Sequence, residues 1–137
     1  MAYIDGYIIP VKISKKSEYL KLAIRTAQIL RDCGANRVVD AWQDQTPQAP
    51  DSYYADGTRR ADSIDTQPRT FQEAAAAKDD EIVVYSWVEW PDKATRDKGL
   101  SEAMADPRMQ QTPGAEAFSG RRLIASGFEV INENGRD

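Results

Sequence analysis

The chain has 137 residues, which fits one domain large enough to bury a core without disulfides or a structural metal. Its net charge of −4 argues against nucleic-acid binding, and no apolar run approaches the roughly 20 residues of a membrane-spanning helix. It has no histidine and a single cysteine, Cys33, which excludes His-dependent triads, proximal-His haem, ordinary zinc sites, thiolate–imidazole pairs and internal disulfides.

Any metal would have to be a hard cation held by carboxylates. There is no EF-hand loop, phosphate-binding loop or dinucleotide fingerprint, so neither a metal nor a cofactor is expected. The lone cysteine fits a reducing compartment, and the first residues lack the basic and apolar blocks of a signal peptide. A cytoplasmic location, without membrane or nucleic-acid partners, is the expectation.

Residues 3–11 read as a strand rich in β-branched and aromatic side chains, with Gly6 marking a close approach and Pro10 the strand end or an unpaired position. Ser14 is placed to cap a helix over residues 15–33. Its core stripe is Tyr19, Leu22, Ala23, Thr26, Ile29, Leu30 and Cys33, and Gly34 supplies the stop. Residues 37–43 form a second strand.

Residues 44–80 form a long polar connection with Tyr53-Tyr54 and a charged stretch at 58–65, readable as a lid, an oligomer contact or an inert surface insertion. Within it, Thr70-x-x-Glu73 has the form of a capping box, which predicts a short helix over residues 71–78. The third strand spans residues 81–90. Pro91 ends it, and Asp92 caps a helix over residues 93–105 with Ala94, Leu100 and Met104 as apolar positions. Asp106-Pro107 starts one further turn through Gln110, a Pro/Gly loop covers 111–120, and residues 121–131 form the last strand, with Gly127 as a bulge or close-packing point. Residues 1–131 are thus one domain and 132–137 a polar tail.

The order β-α-β-β-α-β is the ferredoxin-like plan: a four-stranded antiparallel sheet of order 4-1-3-2 with both helices on one face. Alternation along the third strand puts Ile82, Val84, Ser86, Val88 and Trp90 on the helix side, and Glu81, Val83, Tyr85, Trp87 and Glu89 on the other. The two tryptophans therefore point in opposite directions. On the first strand, the same reasoning puts Ile4, Gly6 and Ile8 towards the helices, and Tyr3, Asp5, Tyr7 and Ile9 on the open face. A face carrying Tyr3, Tyr7, Tyr85 and Trp87 calls for a second copy, so these four are the expected dimer-interface residues of a homodimer. Asp5, Arg37, Glu89 and Glu129 are expected to cluster at one end of the sheet, as a proton-transfer site or as an ion-pair network at a dimer rim.

Several runs resemble the YbaA-like family of small bacterial proteins of unknown function. They are Tyr3-Ile4-Asp5-Gly6-Tyr7, Arg37-Val38-Val39-Asp40-Ala41-Trp42, Ser86-Trp87-Val88-Glu89-Trp90-Pro91 with Arg96-Asp97 after it, Met104-Ala105-Asp106-Pro107-Arg108-Met109, and Gly120-Arg121-Arg122-Leu123 leading to Gly127-Phe128-Glu129. The resemblance implies a ferredoxin-like fold paired into a dimeric α+β barrel, and no assigned activity or catalytic residues. The family usually has a shorter second-to-third-strand connection, and an aspartate on the approach to the last strand where Ser119 stands here.

Three functions remain open. The chain binds a small molecule, aromatic ones included, between helices and sheet, with Trp42, Ser86, Trp90 and Arg108 or Arg122 as lining residues; the tryptophans equally serve as plain core. Or it is a cofactor-less monooxygenase- or isomerase-type enzyme whose base is Asp40, expected as a buried carboxylate, with Asp5 or Glu89 as alternatives. Or it has a structural or protein-interaction role through residues 45–70.

Overall fold

The computed structural model describes residues 2–46, 69–110 and 120–135. The readings made for Tyr53-Tyr54, for residues 58–65, for Ser119 and for nearly all of the loop 111–120 fall outside the described residues. Two ten-residue strands, β1 (Tyr3–Lys12) and β3 (Glu81–Trp90), form the centre of the sheet. The edges are β2 (Arg37–Trp42) and β4 (Ile124–Glu129), in the order β2-β3-β1-β4 with every neighbouring pair antiparallel. Four helices complete the described chain: α1 (Lys16–Asp32), α2 (Phe71–Ala74), α3 (Lys93–Ala105) and α4 (Pro107–Gln110). This is the expected ferredoxin-like α+β arrangement.

Local chemistry sets most boundaries. Gly34 ends α1 at a φ of 114°, a conformation that side-chain-bearing residues rarely adopt. Asp92 caps α3 by accepting a 2.7 Å hydrogen bond from the Thr95 amide. Thr70 and Glu73 form a reciprocal capping box on α2. That helix is a single turn rather than the two expected, because Ala76 turns to a φ of 52° and the Lys78 amide donates to the Glu81 carboxylate instead. Ser14 is not a cap. The chain enters α1 through a 3-10 turn, Ile13–Lys15, and Lys15 stands at the N-cap without a side-chain bond. A second 3-10 turn, Gly120–Arg122, replaces the expected start of the last strand.

The register fixes the faces. Trp90 lies opposite Tyr3, Val88 opposite Asp5, Ser86 opposite Tyr7 and Val84 opposite Ile9, and Asp40 lies opposite Ser86 on its other side. The β3 alternation is as expected, but that of β1 is reversed. Tyr3, Asp5, Tyr7, Ile9 and Val11 face the helices, while Ile4, Gly6 and Ile8 lie on the open face. The inward polar residues are tolerated because Asp5 accepts the Trp90 indole N–H there and its charge is paired with Arg96. Two apolar clusters form the core. One joins Ile29 and Leu30 of α1, Ala103 of α3 and Val88 and Trp90 of β3. The other joins Ile9, Val11, Ile82 and Val84, with Tyr19 and Trp42 against it.

The core face of α3 is carried by small residues. Gly99 and Ala103 are buried, whereas the expected apolar positions Ala94 and Met104 are exposed. A Cβ on Gly99 would lie 2.5 Å from both the Cys33 carbonyl oxygen and the Trp90 ring. The Trp90 indole therefore occupies the volume that a side chain at position 99 would take.

Candidate functional site

Where α3 crosses the β1–β4 edge, an open groove of about 350 Å³ remains, lined by Asp5, Tyr7, Arg96, Leu100, Met104 and the β4 residues 125–127. Asp5 and Tyr7 reach it because β1 turns its odd residues to the helix side. Arg96 and Leu100 reach it because, with Gly99 and Ala103, they recur at helical spacing on the inner face of α3.

The polar groups are tied in a defined order. The buried Asp5 carboxylate accepts the Trp90 indole N–H at 3.0 Å through Oδ2. Its Oδ1 lies 3.5 Å from Arg96 Nε, an ion pair whose buried Nε makes no hydrogen bond among the described residues. The same guanidinium donates to the Tyr3 hydroxyl at 2.6 Å, lies over the Tyr3 ring and pairs with Asp97 at 3.2 Å. Gly127 makes room for this, since a Cβ there would collide with the Tyr3 hydroxyl and Arg96. Tyr7 is held protonated: burial first, and the Asp5 charge second, push its phenol up to about 12, with Arg96 pulling the other way. No described residue takes a hydrogen bond from its hydroxyl.

The other candidates do not converge on this groove. Asp40 and Ser86 lie side by side on the helix face of β2 and β3, and Trp42 follows two residues later on the same face. Asp40 sits on an edge strand and is exposed, not buried as expected. Desolvation by its neighbours still raises its pKa, opposed by the Ser86 hydroxyl, and its charge helps burial push the Tyr19 phenol up. Trp42 packs on the second core cluster, with Lys16 over its ring and its indole N–H buried without a partner among the described residues. Trp90 is fully buried and is tied to the groove by its hydrogen bond to Asp5.

Neither expected arginine lines the groove. Arg108 ties α4 to α1 through Asp32 and Asp106, at 2.9 and 2.8 Å. Arg122 grips Glu81 with two bonds, at 2.7 and 2.8 Å, and also donates to the Ala76 carbonyl. The arginine in the groove is Arg96. Its signal was its place in the Arg96–Gly99–Leu100–Ala103 stripe. The expected acidic cluster also divides. Glu89 pairs with Arg37 at 3.6 Å and accepts the Trp87 indole N–H on the open face, whereas Asp5 is on the other side of the sheet. Of the expected interface residues, Tyr85 and Trp87 lie on the open face, while Tyr3 and Tyr7 pack with the first core cluster on the helix side. Among the described residues, no three His, Cys, Asp or Glu side chains are grouped to hold a metal, and no helix is long and apolar enough to cross a membrane.

Sheet order and helix placement define a ferredoxin-like α+β protein. The chain belongs to the family described as Protein of unknown function (DUF1428), whose model matches residues 2–120. It is 33% identical over 131 residues to the uncharacterized protein YbaA of Escherichia coli K12, covering 96% of this chain and 97% of that protein, and equally so to YbaA of Shigella flexneri. Among solved structures it is similar to a mutant of SnoaB, a cofactor-independent oxygenase from Streptomyces nogalater, with a TM-score of 0.54 at 14% identity over 96% of this chain and 95% of that one. It is similar also to a dimeric ferredoxin-like protein from an uncultured marine organism, with a TM-score of 0.54 at 10% identity over 98% of this chain and 100% of that one.

Proposed function

We propose that the protein is a homodimer that binds a small, largely apolar molecule in the groove between α3 and the β1–β4 edge. One observation carries this reading. A buried carboxylate, a phenol without a hydrogen-bond partner among the described residues and a guanidinium meet in one groove whose remaining described lining is largely small or apolar. A few convergent polar groups on an apolar wall is the ordinary make-up of a small-molecule site, and the volume is at the lower end of the usual range. The sheet's other face supports the dimer: Tyr85 and Phe128 are exposed there, beside Ile4, Ile8 and Trp87. Cytoplasmic residence belongs to the same proposal, since the free Cys33 suits a reducing compartment.

The experiment is a thermal-shift screen of small aromatic and alicyclic compounds against the protein and its Ala125→Trp variant. Position 125 is exposed on β4, so the indole fills the groove without entering the core. Compounds that raise the melting temperature of the parent are expected to leave the variant unmoved. Equal shifts in both would refute the site.

The likeness to a cofactor-independent oxygenase favours a second reading, catalysis by a carboxylate base. Asp5 is then the base, because it lies in the groove, whereas Asp40 is exposed on β2 and Glu89 lies on the open face. Asp5→Asn should abolish turnover of a groove ligand and retain its binding. Undiminished turnover would end this reading.

A further inference from the structure

The charges and open valences in the groove specify more than an apolar ligand. We propose that the groove selects neutral hydroxyl-bearing molecules, alcohols or phenols, and rejects carboxylates, with Asp5 accepting the ligand's O–H and Tyr7 donating to its oxygen. This rests on the groove being the binding site.

The argument is one of charge and of unused hydrogen bonds. Arg96 is the only cation among the described lining residues, and its charge is already paired, although its Nε–H makes no hydrogen bond to them. Asp5, Asp97 and the Tyr3 hydroxyl share its guanidinium. One positive and two negative groups leave the cluster with a net charge of about −1, so an entering anion meets repulsion that no spare cation offsets. Asp5 has one oxygen occupied by Trp90; the other faces Arg96 Nε, takes no hydrogen bond among the described residues and keeps acceptor capacity. Tyr7 is the complementary partner. Its hydroxyl stays protonated, has no described acceptor and lines the same groove. A ligand hydroxyl both donates and accepts, so one such group satisfies both residues. A carboxylate offers only acceptors, and an ether cannot donate to Asp5. Polar groups that a ligand covers and leaves unmatched are what make such sites discriminate strongly.

Three probes of one shape test this by calorimetric titration of the full chain at neutral pH: 2-naphthol, 2-methoxynaphthalene and 2-naphthoate. The expected result is 2-naphthol binding roughly tenfold or more tightly than either of the others. In Asp5→Asn, the preference for 2-naphthol over 2-naphthoate should shrink or invert, since the amide is neutral and of the same shape. Should that variant fail to fold, Tyr7→Phe removes only the donor and should weaken 2-naphthol severalfold. Equal or tighter binding of 2-naphthoate overturns the selectivity and leaves the groove reading intact. Equal binding of 2-methoxynaphthalene overturns the role of Asp5. Binding that is unchanged in Ala125→Trp, or absent for all three, overturns the groove reading and this inference with it.

Discussion

Trp90, fully buried between α1 and α3, is accommodated because position 99 has no side chain. Gly99→Ala places a methyl group 2.5 Å from both a backbone oxygen and the ring of the fully buried Trp90. Overpacking of this kind costs about 1–3 kcal/mol, more than the gain in helix propensity of about 1 kcal/mol. The variant should melt several degrees lower, with Asp5 and Arg96 displaced if Trp90 moves. An unchanged melting curve would contradict the packing described. Glu81 is a second decisive residue. It is 6% exposed and clasped by Arg122, which holds its carboxyl down to about 2 from 4.5. A carboxyl whose folded-state pKa is depressed contributes stability above its unfolded value and loses it as pH falls through the folded one. The clasp thus contributes at most about 3 kcal/mol near neutrality, less what solvent screens at the partly exposed Arg122, and this fades between pH 4.5 and about 2. Urea melts should show Glu81→Gln destabilised at pH 7 and converging with the parent towards pH 2. A constant difference across that window would refute the linkage. Glu81 looked like an ordinary strand start, since nothing near it in the chain announces Arg122, 41 residues away.

At the scale of elements, the capping and strand-ending chemistry around α2, β3 and α3 was legible because it is local, whereas the cap expected at Ser14 does not form. Asp92, Pro91 and Thr70-x-x-Glu73 act within one turn, and α3 and β3 begin and end where those residues require. The parity of β1 was not legible. Tyr3-Ile4-Asp5-Gly6-Tyr7-Ile8 alternates in polarity, and polarity alone assigns Ile4 and Ile8 to the core. The true assignment depends on Trp90, 85 residues on, which needs an acceptor for its N–H and finds Asp5. The groove was missed for the same reason: it needs Asp5 and Tyr7 to face inward and Arg96 to share the stripe of Gly99. The capping box yields a local prediction too. Thr70→Ala removes the bond to the Glu73 amide and should cost about 1 kcal/mol. Because α2 sets the Phe71 ring on Tyr85 at 5.8 Å, amide exchange in residues 71–75 should rise ahead of that in β3. Uniform loosening of both would show that α2 and the sheet open as one unit.

At the scale of the whole molecule, the two sheet faces are unequal. One is roofed by α1 and α3. Part of the other is covered: Val83 is almost fully buried, and Phe71 stacks on Tyr85 at the α2 end. Beyond that, Tyr85, Ile124 and Phe128 remain 44%, 48% and 56% exposed, with Phe128 lying across Gly6. Contiguous aromatic surface of this kind is rare on a monomer, and twofold pairing places the same patch on both partners. Tyr85 lies on the central strand β3, so the proposed axis brings its two copies towards each other. Tyr85→Glu would then set carboxylates opposite one another in an apolar interface, where like charges cost several kcal/mol. It should convert the dimer to a monomer in sedimentation equilibrium at micromolar concentration, while the near-ultraviolet signal of the buried Trp90 is retained because position 85 points away from the core. The pH dependence gives an independent check, since protonating the introduced carboxylates at low pH should partly restore the dimer. A parent protein that sediments as a monomer, or a Tyr85→Glu variant that remains dimeric, would place the interface elsewhere and leave the open face without the partner that its composition demands.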